Sequence, residues 1–304
     1  MTFQTKQQIA LDLIDRALSN GIQVAWWTFD EFYGRDSKVL DALEERDQRF
    51  VCEIPTNTRV WTTKPDINPP DTGSRKGLPK QTPCEVRNLL KYSSKFYCQT
   101  WQKYRIKDTH KGPEVWKIKH VTVWRQTEER LPSKRQTLIV ARSVRTGETK
   151  FFLANAVVGE NGVTLRELLR VAFGRWAIEA VFRVSKEELG MDHFEVRGWR
   201  CIHRHYFVTG LSCLLCSRIR LNLDKTGKRE LTVEQVRRAI NCWLQHHDLP
   251  PELRDEKFER ELAIQRYHEQ RNAQSAKSHT KTRIAMYLEI GIDVDKIKSC
   301  VKTE

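Results

Sequence analysis

Two short stretches hold the residues with chemistry to offer. The first is Arg175-Trp-Ala-Ile-Glu-Ala-Val-Phe-Arg-Val-Ser-Lys186. It has no proline and no internal glycine, and Ile178, Val181, Phe182 and Leu189 recur at helical spacing. A helix would put Glu179 on the face of Arg175 and bring Lys186 to that face two turns later. One acid then stands between two bases, which by itself reads as an ion pair on an amphipathic surface helix. The second stretch is Gln23-Val-Ala-Trp-Trp-Thr-Phe29, a short apolar run ending at Asp30. A carboxylate just past the carboxyl end of a buried strand lies where open α/β sheets place ligands. Asp30 could also cap the next helix, with Gly34 making the turn.

Other residues resemble metal ligands only at first sight. His203 and His205 are two apart, so a helix does not converge them on one ion. They suit phosphate contact or packing better. Cys213 and Cys216 have zinc spacing but sit in Leu211-Ser-Cys-Leu-Leu-Cys216 with no second Cys or His pair, and read as buried helix cysteines.

Several elements must position these groups. A helix over ~5–19 ends at Asn20-Gly21, and the strand to Phe29 follows. A helix over ~35–46 leads to a second strand, Arg49–Ile54, stopped by Pro55. The order α-β-α-β makes the two strands parallel, joined by a right-handed crossover. A basic loop rich in Pro and Gly spans ~64–83, and a short polar-aromatic helix ~84–98. Trp116–Trp124, Gln136–Val144 and Lys150–Leu153 read as three antiparallel strands. Trp101, Trp116 and Trp124 interleave with Lys and Arg, a pattern that suits DNA backbone and unstacked bases or, equally, one packed and one solvated sheet face. Thr164 is an N-cap with Glu167 completing a capping box, and that helix breaks near Gly174. Gly190 ends the Arg175–Lys186 helix; further helices cover Tyr206 to ~Leu221 and Thr232–Gln245. Arg266–Arg283 is helical without a broad apolar face, either a DNA-binding arm or a solvated extension.

The chain has 304 residues, with 53 Lys+Arg against 39 Asp+Glu, a net charge of +14. That excess favours polyanionic partners. No apolar run approaches the ~18 residues of a membrane span. The N-terminus lacks the layout of a secretory signal, so a cytoplasmic setting with reduced thiols at its eight cysteines is expected.

The spacing R-x3-E-x6-K over Arg175, Glu179 and Lys186, with Asp30-x-x-Tyr33-Gly34 upstream, resembles the signature of the DDE transposases of bacterial insertion sequences, Y-x2-R-x3-E-x6-K. The resemblance implies an α/β, RNase H-like catalytic core over 1–55 and 155–250. It also implies a β-rich basic insertion over 56–154 and a basic helical tail over 251–304. It implies Asp30 and Glu179 as catalytic, metal-holding carboxylates, and two Mg²⁺ ions for in-line displacement at phosphorus. Arg175 and Lys186 would grip phosphates, with Arg197, Trp199, His203 and Arg204 as further DNA contacts. The partners would be transposon-end and target DNA, with a homodimer in a synaptic complex. The chain departs from the pattern in two places: Ala172 stands where the signature has Tyr, and the first catalytic Asp and its strands are not found ahead of Asp30. The expectation is therefore a transposase incomplete as this chain, with a transposase-derived DNA-binding protein as the alternative.

Overall fold

The computed structural model describes residues 3–68, 77–224, 231–248 and 250–301. The middle of the expected basic loop, 69–76, lies outside them. Contacts divide the chain into two compact units, Met1–Arg175 with His279–Glu304, and Trp176–Ser278.

In the first unit, Thr5 and Gln8 make a full capping box at the start of α1 (Lys6–Ser19). The strand expected over Gln23–Phe29 is regular only over β1 (Trp27–Phe29). Pairing limits it, because β1 meets its partner only from Trp27↔Phe50 onward. Asp30 caps α2 (Glu31–Gly34), and Asp36 caps α3 (Ser37–Glu45), so a separate turn precedes the expected helix. β2 (Phe50–Glu53) runs parallel to β1, as the element order requires.

Next come β3 (Arg59–Trp61), β4 (Cys84–Glu85), α4 (Val86–Tyr92), α5 (Ser94–Tyr97), β5 (Gln102–Thr109), β6 (Gly112–Gln126), β7 (Pro132–Ser143) and β8 (Thr149–Ala154). The three strands read from alternation form the bodies of β6, β7 and β8. β8 pairs antiparallel with β2 through Cys52↔Leu153, so one sheet runs β1-β2-β8-β7-β6-β3-β4, with β5 also on β6. β1 is an edge of this sheet among the described residues.

Alternating side chains give the sheet two apolar faces. Phe50, Cys52, Leu138, Val140 and Leu153 pack with Ile14 of α1 and Leu40 and Leu43 of α3. Val51, Ile139 and Phe152 pack with Leu168 and Leu169 of α6 (Leu165–Gly174). Helices therefore cover both faces. Thr164 caps α6 by accepting from the Glu167 amide at 3.1 Å. The expected capping box is only half made, because the Glu167 carboxylate instead accepts from the indole N–H of Trp26 at 2.8 Å.

The second unit is helical: α7 (Trp176–Leu189), α8 (Trp199–Asp224), α9 (Val233–Asp248) and most of α10 (Pro251–Glu289). α8 starts at Trp199 rather than at the expected Tyr206. α10 is 39 residues long and outruns the expected Arg266–Arg283 at both ends. Its last turns count with the first unit, where Tyr287 is buried beside Val115 together with Ile292 and Val294. The tyrosine hydroxyl accepts from the Val115 amide at 3.2 Å. The chain then forms β9 (Lys298–Ser299), parallel to β5. The class is thus α/β with a mixed sheet and C-terminal helices. Among the described residues no helix is long and apolar enough to cross a membrane.

Candidate functional site

β1 ends at Phe29, which leaves Asp30 at the carboxyl end of a parallel strand pair. Asp30 is half-buried. Its Oδ1 accepts from the amides of Phe32 at 3.1 Å and Tyr33 at 3.4 Å, so it is an N-cap. Its Oδ2 has no hydrogen bond among the described residues, so capping leaves one carboxylate oxygen for a ligand. Gly34 is not needed for a left-handed turn. It is needed for closeness: a Cβ there would lie 2.0 Å from the Glu53 carbonyl oxygen. α2 therefore presses backbone to backbone against β2, and this holds Asp30 at the sheet edge.

The other carboxylate belongs to the second unit. α7 presents Glu179 and Lys186 to solvent two turns apart. Arg175, half-buried, is the C-cap of α6 with helical dihedrals (φ −52°, ψ −38°), so the expected break near Gly174 is a change of element at one residue. The apolar side of α7 is not packed away: Ile178 and Phe182 are each 49% exposed. Ser185 is its buried residue, and its hydroxyl reaches Cys213 Sγ of α8 at 3.5 Å. Arg183 pairs with Glu187 at 2.8 Å, and Arg237 of α9 with Glu188 at 3.1 Å.

Arg197 and Arg204 are exposed beside the first turn of α8. Trp199 is 70% exposed and lies 4.1 Å, centroid to centroid, from the His203 ring. His205 is turned inward, with Nε2 2.8 Å from the Gly190 carbonyl, so it fastens the end of α7 to α8. Cys216 is buried and Cys213 half-buried, and none of the eight cysteines is disulfide-bonded. Burial pushes the Cys52 thiol up to about 12 and the Cys300 thiol up to about 11, which leaves neither as a thiolate nucleophile at neutral pH. Of the three interleaved tryptophans, Trp116 is core, packed on Phe173 at 4.9 Å. Trp101 lies 5.0 Å from both the Lys119 and Arg142 cations.

The first unit thus holds Asp30, and the second holds Glu179, Lys186, Arg197, Trp199, His203 and Arg204. Sequence reasoning assigned nothing to Arg59, Arg125 and Arg130, which the fold gathers beside α2. Their positions scatter through the chain, and only the sheet order unites them.

A half-buried acid at the carboxyl edge of parallel strands lies where open α/β sheets take ligands, and a charge of +14 suits a polyanionic partner. The comparison with protein families is more specific. Residues 1–113, which include Asp30 and the β1–β2 pair, match the family described as DDE superfamily endonuclease. The match supports a DDE transposase-type family, and the mixed α/β architecture fits the RNase H-like core. It supports a transposase- or nuclease-type function with DNA as substrate. No curated protein matches the chain. Such endonucleases generally use divalent metal ions. Asp30 fits that use in donor type, as a hard oxygen ligand with one oxygen to spare. Among the described residues, however, no group of three or more His, Cys, Asp or Glu side chains is gathered that could hold an ion.

Proposed function

We propose that this protein is a transposase of an insertion sequence, which cleaves DNA at the element's ends and joins the freed 3′-OH to target DNA. The observation carrying this reading is that the segment matching the DDE endonuclease family is the one that sets Asp30 at the sheet's carboxyl edge with an unengaged Oδ2. In this reading Asp30 and Glu179 serve as two of the carboxylates that would hold two Mg²⁺ ions. The ions, when bound, polarise the attacking and leaving oxygens at phosphorus. The chain's own residues do the rest. Arg175 takes a phosphate by its two-pronged guanidinium and Lys186 by a point charge. Arg197 and Arg204 hold the backbone, while Trp199 and His203 offer a ring surface to an unstacked base. Two copies working together on paired DNA ends, in the cytoplasm, complete the picture.

That no three-ligand group is gathered among the described residues favours a second reading, a transposase-derived protein that binds DNA without cutting it. One experiment separates them. Asparagine caps helices as well as aspartate does but is a poor metal ligand. Asp30→Asn is therefore expected to keep the wild-type melting temperature and lose all nicking of end-bearing DNA in Mg²⁺ or Mn²⁺. Asp30→Ala is expected to lose the nicking and also about 1 kcal/mol of stability. Wild-type nicking by Asp30→Asn would remove Asp30 from the site. Tight DNA binding by the wild type with no nicking would establish the second reading.

A further inference from the structure

The first unit contains a cleft of about 820 Å³ at the carboxyl end of β2, between α2, the start of β3 and the β6–β7 turn. Five arginines line it, Arg35, Arg59, Arg87, Arg125 and Arg130, against three glutamates. They are not equivalent. Arg35 and Arg87 are exposed but already paired, with Glu31 at 2.8 Å and Glu85 at 2.6 Å. Arg125 is 1% exposed and fixed, donating to Asp41 at 2.5 Å and to the Gln126 carbonyl at 3.1 Å. Its Nε is a buried donor with no partner among the described residues. Arg59 and Arg130 are exposed and make no side-chain hydrogen bond or ion pair among the described residues.

A cleft with a net excess of guanidinium, two groups of it uncommitted, is built for an anion with several acceptor oxygens. Its walls are polar as well as charged, with Thr56, Asn57 and Thr58 supplying further donors. Its place matters as much as its charge. It opens at the carboxyl ends of the parallel strands, the edge where open α/β sheets take ligands. Glu31 and Gly34 of the helix that Asp30 caps form one wall. An anion held there lies alongside the element carrying the candidate catalytic carboxylate.

We infer that this cleft binds the phosphodiester backbone of the DNA strand beside Asp30, with Arg59 and Arg130 as the phosphate-contacting groups and Arg125 as a fixed cation at the floor. The inference rests on the DNA-processing reading above and adds to it a strand-holding surface that the signature residues do not provide. The contact is to backbone rather than base edges, so it is indifferent to sequence.

The test uses the full chain and the double variant Arg59→Ala/Arg130→Asn. Asparagine is chosen at 130 because Arg130 has φ 63°, a left-handed conformation that asparagine tolerates. Both side chains are exposed, so an unchanged melting curve is expected. Binding of a labelled duplex is followed by fluorescence anisotropy across a salt series. Each lost phosphate contact flattens the slope of log K against log salt by roughly 0.9, so the double variant is expected to be shallower by roughly 1.8 and weaker on every sequence tried. A variant with the wild-type slope and affinity would overturn the cleft assignment and leave DNA binding by other residues intact. A wild-type chain with no DNA binding at low salt would overturn the DNA reading itself, and the inference with it. A mononucleotide arm separates strand from free phosphate. If the mononucleotide binds the wild type, is lost in the double variant, and DNA binding is untouched, the cleft is a nucleotide site and the inference is wrong.

Discussion

At the scale of single residues, the site depends on contacts whose partners are distant in sequence. Gly34 shows this most plainly. A turn was the natural reading of Asp-x-x-Tyr-Gly, and a glycine is indeed required, but the reason is the Glu53 carbonyl lying where a Cβ would go. No local pattern carries that information, since Glu53 comes from the neighbouring strand. Gly34→Ala must push α2 off β2, and a loss of about 1–3 kcal/mol in chemical denaturation is expected, with Asp30 displaced as a consequence. Glu44 is a second case. On α3 it accepts from the Gln136 side chain and faces Arg125, yet burial outweighs both and pushes its carboxyl above its ordinary value near 4.5. The folded state therefore holds this proton more firmly than the unfolded chain. Stability from this group is full below the ordinary value and is lost as pH rises through the raised one. Glu44→Gln removes that loss and offers an amide donor to Gln136 Oε1, which has no partner among the described residues. Thermal melts should show the variant above wild type at neutral pH, with the difference vanishing towards about pH 4. A constant difference across pH would show that Glu44 does not titrate with folding.

At the scale of elements, what was legible followed strong local signals. α1, α3, β2 and the bodies of β6, β7 and β8 announce themselves by caps, Pro and Gly boundaries, and alternation. The short strands β3, β4 and β9 do not, because two or three residues carry no period and exist as strands only through partners. β5 was missed for a related reason: only Tyr104 and Ile106 are buried among its charged residues. The candidate site was legible in the same uneven way. Asp30 and the Arg175–Lys186 spacing could be read directly, whereas the arginine cleft could not, because it is assembled by strand order. The resemblance implies a basic helical tail over 251–304, yet Tyr287, Ile292, Val294 and Cys300 in it are all buried. A chain stopped after Glu289 loses the burial of Ile292 and Val294, each worth roughly 1.5–3 kcal/mol. It should melt well below the full chain, and hydrogen exchange should show β5 losing protection first. An unchanged melt would mean that these last residues merely lie on the surface.

At the scale of the whole molecule, the chain carries a net charge of +14, and each unit presents basic groups of a different kind. The first unit offers arginines that line a cleft around the buried Arg125, while the second offers exposed groups beside and on its helices. In the cleft the buried Arg125 keeps its geometry whatever approaches it, whereas Arg59 and Arg130, like the exposed groups of the second unit, pay side-chain entropy on contact. The first unit is also discontinuous, made of residues up to Arg175 and again from His279. Synthesis is vectorial, so the two parts cannot meet until the whole of Trp176–Ser278 has left the ribosome. Through that interval Val115 has no Tyr287 over it, and the outer edge of β5 has no β9 beside it. The nascent sheet is thus left with a greasy patch at Val115 and a further open edge at β5 until β9 arrives. During that time it is the sort of surface that a holdase would occupy.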